Sequence, residues 1–164
     1  RSTRKESSAA SDVYKRQGEL PKESPFFYLM ETARNLCLVL EKKADLGREI
    51  RLAYSQEDKE TLQEIANIKI PVLLQRLQDF YQSFRTQWNL ENKSFGFEVQ
   101  TVRIGGLLQR LKDVQEILNA YLREEIPGIA ELNEPQKAFH YFEQNEIRSL
   151  NYNLWTDIVS PSKI

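Results

Sequence analysis

The chain has 164 residues, 23 Lys and Arg against 24 Asp and Glu, one His and one Cys. A formal charge of −1 leaves no electrostatic footprint for a nucleic-acid partner, and no apolar run reaches the roughly 18 residues of a membrane span. The single Cys37 excludes an internal disulfide and fits a reducing compartment.

Residues 1–17, RSTRKESSAASDVYKRQ, show neither apolar periodicity nor turn signals. Residues 7–17 reverse-translate, codon by codon, into a sequencing-library adapter ending in a transposase mosaic end. The leader is therefore expected to be a translated scar on a gene fragment of shotgun or metagenomic origin; a disordered basic tail is the other reading. Either way it is set aside from fold reasoning and expected to make almost no packing contacts. Its five basic and two acidic residues, taken from 23 and 24, leave a charge of −4 on the 147 residues from Gly18 onward. That length suits one domain, 18–164, able to bury a real core.

In chain order, Ser24 and Pro25 read as a cap and a first helical residue. Phe26, Leu29, Ala33, Leu36, Cys37 and Leu40 follow at helical spacing, which predicts a helix over 25–44. Gly47 interrupts the pattern, leaving 45–54 as a shorter piece, and Ser55 is expected to cap the acidic start that follows. Leu62, Ile65, Ala66, Ile70, Leu73, Leu77, Phe80, Tyr81, Phe84 and Trp88 recur at steps of three and four. Pro71 lacks an N–H and crowds the preceding turn, so a break is expected near Asn67–Ile70, separating helices at 57–67 and 71–90. ENKSFGF is a connector, and 98–122 is the last long helix. Beyond Pro127 the aromatics Phe139, Tyr141, Phe142, Tyr152 and Trp155 lack periodicity and are expected to wrap the bundle. The fold class is all-α: a bundle of about four main helices with an irregular aromatic-rich tail. Leu36, Leu40, Leu73, Leu77, Phe80, Phe84, Leu111, Val114 and Leu118 are the expected core.

Few residues suggest chemistry. His140 has no second His or Cys at ligand spacing, so no metal site is expected. Cys37 sits on an apolar helix face with nothing nearby to activate it. No phosphate loop, nucleophile elbow or cofactor motif is present, so no cofactor is expected. The acidic pairs Glu57-Asp58 and Glu124-Glu125 fall at helix ends, where solvated acids are common. One stretch stands apart. Gly105 and Gly106 lie inside a predicted helix, where each costs about 1 kcal/mol relative to Ala. Val99, Arg103, Gly106 and Arg110 share its face. Either another surface approaches that backbone closely, or the glycines serve packing within the chain with arginine stems lying over them.

The same region, ENKSFGFEVQTVRIGGLLQRL, resembles a motif of the C-terminal helical domain in a bacterial branch of glycoside hydrolase family 20, the β-N-acetylhexosaminidases. KKADLGREIRLAYSQEDKETL and LNAYLREEIPGIAELNEP are similar to flanking segments of that domain, and LWTDIVSPSKI fits its ending loosely. The likeness spans roughly 25–164. It departs at Ser94, where the family has Pro, and at Thr101, where it has Asp; the latter weakens any polar contact expected there. The resemblance implies a bacterial, cytoplasmic parent with a catalytic (β/α)₈ barrel ahead of this fragment, holding the Asp-Glu pair of a substrate-assisted, exo-acting reaction. On that reading no catalytic residue lies in this chain and it is inactive alone. Trp88, Asn92, Phe95, Glu98, Arg103, Gly105, Gly106 and Arg110 become candidates for docking to the barrel, or to a second subunit of a homodimer, or for a place near substrate. Trp88 is either a sugar-stacking wall or an aromatic seal on the bundle end. A free-standing helical interaction or scaffold module is the alternative.

Overall fold

The structure is a computed structural model that describes residues 24–134 and the backbone of 140–143 and 146–149. The leader and the distal tail, with Tyr152 and Trp155, lie outside the described residues. Helix α1 spans Phe27–Lys43, α2 Leu46–Ser55 and α3 Lys59–Glu64; a π-helical turn, Ile65–Lys69, leads into α4, Ile70–Glu91. After the connector come α5, Phe97–Leu122, and the single turn α6, Ala130–Asn133. The all-α expectation holds for the domain body.

Several local signals act differently from their sequence reading. Ser24 caps a turn rather than the helix: its Oγ accepts from the Phe26 amide at 3.4 Å and its carbonyl from Phe27 at 3.0 Å, so α1 starts two residues late. Ser55 closes α2, donating its hydroxyl to the Leu52 carbonyl at 2.8 Å. The α3 cap is Asp58, whose carboxylate accepts from the Thr61 amide at 3.0 Å and the Thr61 hydroxyl at 2.6 Å. The α1–α2 break falls at Ala44–Asp45, with Gly47 already in the first turn of α2.

The expected break before Pro71 is replaced by the π turn. The Ile70 amide reaches back five residues to the Ile65 carbonyl, which skips Ala66. In that wider register the next donor, to the Ala66 carbonyl, would be residue 71, and proline has none. Gln115 of α5 supplies the missing donor, its Nε2 lying 2.7 Å from the Ala66 oxygen. The chain thus runs helically from Lys59 to Glu91, with the Ala66 carbonyl satisfied from a neighbouring helix.

The core forms where α2, α3, the π turn, α4 and α5 meet. Leu62, Ile65, Ile70, Leu73 and Leu118 are fully buried, with Val39, Leu46, Ile50, Ala53, Ala66, Leu77, Leu111 and Ile129 around them. Leu73, Leu77, Leu111 and Leu118 lie in the core as expected, and Phe80 and Val114 pack half-buried against it. Phe84 is half-buried in a separate aromatic cluster. Leu36 and Leu40 are not core residues, at 39% and 50% exposed. Helix α1 packs chiefly on α4 alone, so only a narrow stripe containing Thr32 and Val39 is buried and the wider apolar face is left over.

Helices α1 and α4 run antiparallel. The Tyr28 hydroxyl donates to Glu91 at 3.0 Å at one end, while Arg76 reaches the Leu38 carbonyl at 2.7 Å and Glu41 at 3.1 Å toward the other. Tyr54 secures the segment after α5: its hydroxyl accepts from the Ile129 amide at 3.0 Å and lies 3.1 Å from Asn133 Oδ1. In the tail, β1 (His140–Glu143) pairs antiparallel with β2 (Glu146–Ser149), His140 opposite Ser149 and Glu143 opposite Glu146. This ribbon is the feature that helical periodicity did not anticipate. His140 and its neighbours include aromatics that suit a pleated backbone.

Candidate functional site

The region singled out in the sequence is the α4–α5 connector and the first half of α5. Helix α4 ends where Asn92 turns extended, its amide bonded to the Trp88 carbonyl at 2.8 Å. The chain reverses through 92–96 and re-enters a helix at Gly96, whose φ of +99° suits a residue without Cβ. Glu98 Oε2 accepts from the Gly96 amide at 2.7 Å, so one orphan donor of the helix start is met by an acid in its first turn. Phe97 is thereby driven inward beneath Tyr81, Phe84 and Trp88, with ring centroids 5.6–5.7 Å away.

Trp88 is a seal. Its ring packs on Phe97 and, edge-on, on Phe84, and its Nε1 donates to the Lys93 carbonyl at 2.9 Å. Phe95 does the opposite and is 88% exposed at the tip of the connector.

Beside this cluster lies a cleft of about 330 Å³ lined by Tyr81, Arg85, Asn89, Ser94, Phe97, Glu98 and Thr101. Phe97 is buried, and around it stand a guanidinium, an amide, a carboxylate and three hydroxyls. Thr101 is firmly engaged: its hydroxyl is 3.0 Å from that of Tyr81 and donates to the Phe97 carbonyl at 3.3 Å. The family's departure at this position therefore does not empty it of polar contact. Both departures, Ser94 and Thr101, face the same cleft. Arg85 makes no ion pair among the described residues. As site residues, Arg85, Asn89 and Tyr81 were passed over in the sequence; their signal was a helical spacing of four along α4.

The remaining candidates do not converge. Arg103 is exposed further along α5, and Arg110 Nη2 is taken by Glu131 of α6 at 2.9 Å. Gly105 is exposed, and a Cβ built on it meets nothing within 4 Å, so no part of the described chain makes the close approach that its lack of a side chain suggested. Gly106 is half-buried.

The acidic pairs serve the scaffold. The Thr61 hydroxyl and amide hold the Asp58 carboxyl below its ordinary value. Lys59, 2.8 Å from Glu124, lowers that carboxyl, and Arg123, 2.7 Å from Glu125, lowers the next. Glu57 and Glu124 both adopt positive φ, at 54° and 62°, as residues that end helices. Among the described residues no group of three His, Cys, Asp or Glu converges for a metal, and no helix is long and apolar enough to cross a membrane.

Compared with protein families, residues 10–151 match the Glycoside Hydrolase 20C C-terminal domain. The chain belongs to that family. A search of curated proteins finds no match. The 20C match takes in the whole helical body, the cleft and the β-ribbon, and it begins eight residues inside the leader, so it does not mark the boundary drawn at Gly18. As a domain of a family 20 glycoside hydrolase, it is by description one part of a chain whose catalytic domain lies elsewhere.

Proposed function

We propose that this 20C domain is the accessory domain of an exo-acting β-N-acetylhexosaminidase, binding the catalytic barrel of its own chain while hydrolysis proceeds in the barrel. The observation that carries this reading is the family match over residues 10–151. The outward-facing, unfilled backbone at Gly105 and the exposed Arg103 support a contact beyond the domain itself, because no described residue lies against the one or pairs with the other. Arg103 suits such a contact: a planar fork can hold a carboxylate bidentately while the stem covers apolar surface.

The test begins with the coding sequence upstream of Gly18, where an adjacent Asp-Glu pair ending a barrel strand is expected. The full-length enzyme is then assayed on an aryl N-acetyl-β-glucosaminide, with and without residues 18–164. Activity that needs the barrel acids and falls on loss of the domain is the expected result. A start codon near Gly18 overturns the reading.

A further inference from the structure

Helix α5 buries Phe97 and then nothing until Leu111. In between, Val99 and Val102 are exposed. At the same end, Phe26 ahead of α1, Leu90 in the last turn of α4 and Phe95 in the connector are 63%, 64% and 88% exposed. The Tyr28–Glu91 hydrogen bond ties the first turn of α1 to the last residue of α4, which makes this one end of the bundle. Scattered apolar residues on a surface need no explanation; several large ones gathered at one end of a small domain mark an interaction surface.

The direction of the chain says what covers it. The family is a C-terminal domain, so the rest of the parent joins it on the N-terminal side. Helix α1 starts at this same apolar end. A tether that enters here holds the preceding domain at high effective concentration beside these side chains. We propose that Phe26, Leu90, Phe95, Val99 and Val102 form the seat of the preceding domain of the parent chain, and that the adjoining cleft takes a polar loop of that domain. Arg85 and Asn89 donate to the loop, and Glu98 accepts through the carboxylate oxygen that Gly96 does not use. A cleft with both signs of charge matches a polypeptide, which carries donors and acceptors alike. This inference rests on the reading of the chain as an accessory domain.

The experiment uses the full-length enzyme carrying Leu90→Asp with Phe95→Asp, and as control Leu52→Asp, an exposed position on α2 at the far end. Phe95→Ser is a gentler second variant. Hydrogen exchange followed by mass spectrometry reads the amides of 88–102. The double variant is expected to exchange there about tenfold faster than wild type, the equivalent of about 1.4 kcal/mol of lost docking; Phe95→Ser shifts the same way, and the control does not. Equal exchange in wild type and both variants overturns the proposal. So does a wild-type oligomer that the double variant converts to monomers on light scattering, since the cover is then a second copy. The hexosaminidase assay is read separately. Altered exchange in an enzyme inactive on N-acetylhexosaminides keeps the seat and sinks the substrate reading; unaltered exchange in an active enzyme does the reverse.

Discussion

Gly96 and Gly105 separate two reasons for a glycine. At Gly96 the backbone stands at φ +99°, where a side chain meets its own carbonyl, while the space around a Cβ is adequate, with Trp88 Cζ2 at 3.5 Å. Gly96→Ala is therefore expected to cost about 1–2 kcal/mol through backbone strain alone, read from the urea midpoint at unchanged slope. At Gly105 the backbone is helical and the surroundings are open. Gly105→Ala is expected to raise stability by up to about 1 kcal/mol, since Ala loses less conformational freedom on folding. A loss there would mean that something does lie against the glycine. Asp58 adds a pH dependence. Its carboxyl is held below its ordinary value first by the Thr61 hydroxyl and then by the Thr61 amide. A lowered folded-state pKa means that the contribution is present above the unfolded value and is lost as pH falls through the folded one. Asp58→Asn is expected to flatten the acid limb of the thermal stability profile; an unchanged limb would remove Asp58 from the account.

At the scale of elements, the π turn shows how a proline can sit inside a helical rod. The Ile70 amide bonds the Ile65 carbonyl in the wider register, and the next position, Pro71, has no N–H to give the Ala66 carbonyl. Gln115→Leu leaves the carbonyl of the fully buried Ala66 unpaired, a cost of about 1–3 kcal/mol. Adding Pro71→Ala to that variant returns an N–H at the place where it was missing. The double-mutant cycle is therefore expected to show a coupling above the roughly 0.5 kcal/mol of independent sites, with the second substitution recovering part of the first loss. Strict additivity would refute the mechanism. The same turn shows where sequence reading stopped. Periodicity located α4 and α5 closely, because Leu73, Leu77, Leu111 and Leu118 all face one core. It missed the continuity across Pro71, because the compensating donor lies 49 residues from Ala66. It also placed Leu36 and Leu40 inside, because periodicity reports that a face is apolar and not whether a neighbour exists to cover it. At the site, the glycine pair and the ENKSFGF connector drew attention to the end of the bundle where the cleft lies. The cleft needed Arg85 and Asn89 from α4, whose relation to Glu98 is set only by the reversal at Gly96.

Across the whole molecule, burial is unevenly divided along the axis. The fully buried side chains belong to α3, the π turn, the first part of α4 and the last part of α5, so one end of the domain holds the core. The other end is held by the aromatic cluster of Tyr81, Phe84, Trp88 and Phe97 and by exposed hydrogen bonds such as that of Tyr28 with Glu91. Local opening follows apolar burial, so a gradient of stability should run along α4 and α5 in the free chain. Native-state hydrogen exchange is expected to place the amides of 62–77 and 111–118 at the global unfolding free energy and those of 98–108 well below it. Leu118→Ala, at a position 1% exposed, is expected to cost about 2–5 kcal/mol and to lower protection in the first group one for one. It should leave the second group nearly unmoved, since that group opens without breaking the core. Exchange of 98–108 at the global limit, falling in step with Leu118→Ala, would show a uniformly cooperative bundle. The gradient matters for the proposed seat. A half-helix that is loose in the free domain and ordered against a neighbour gives that neighbour's arrival a measurable signature, and its exchange in the parent enzyme should approach that of the core.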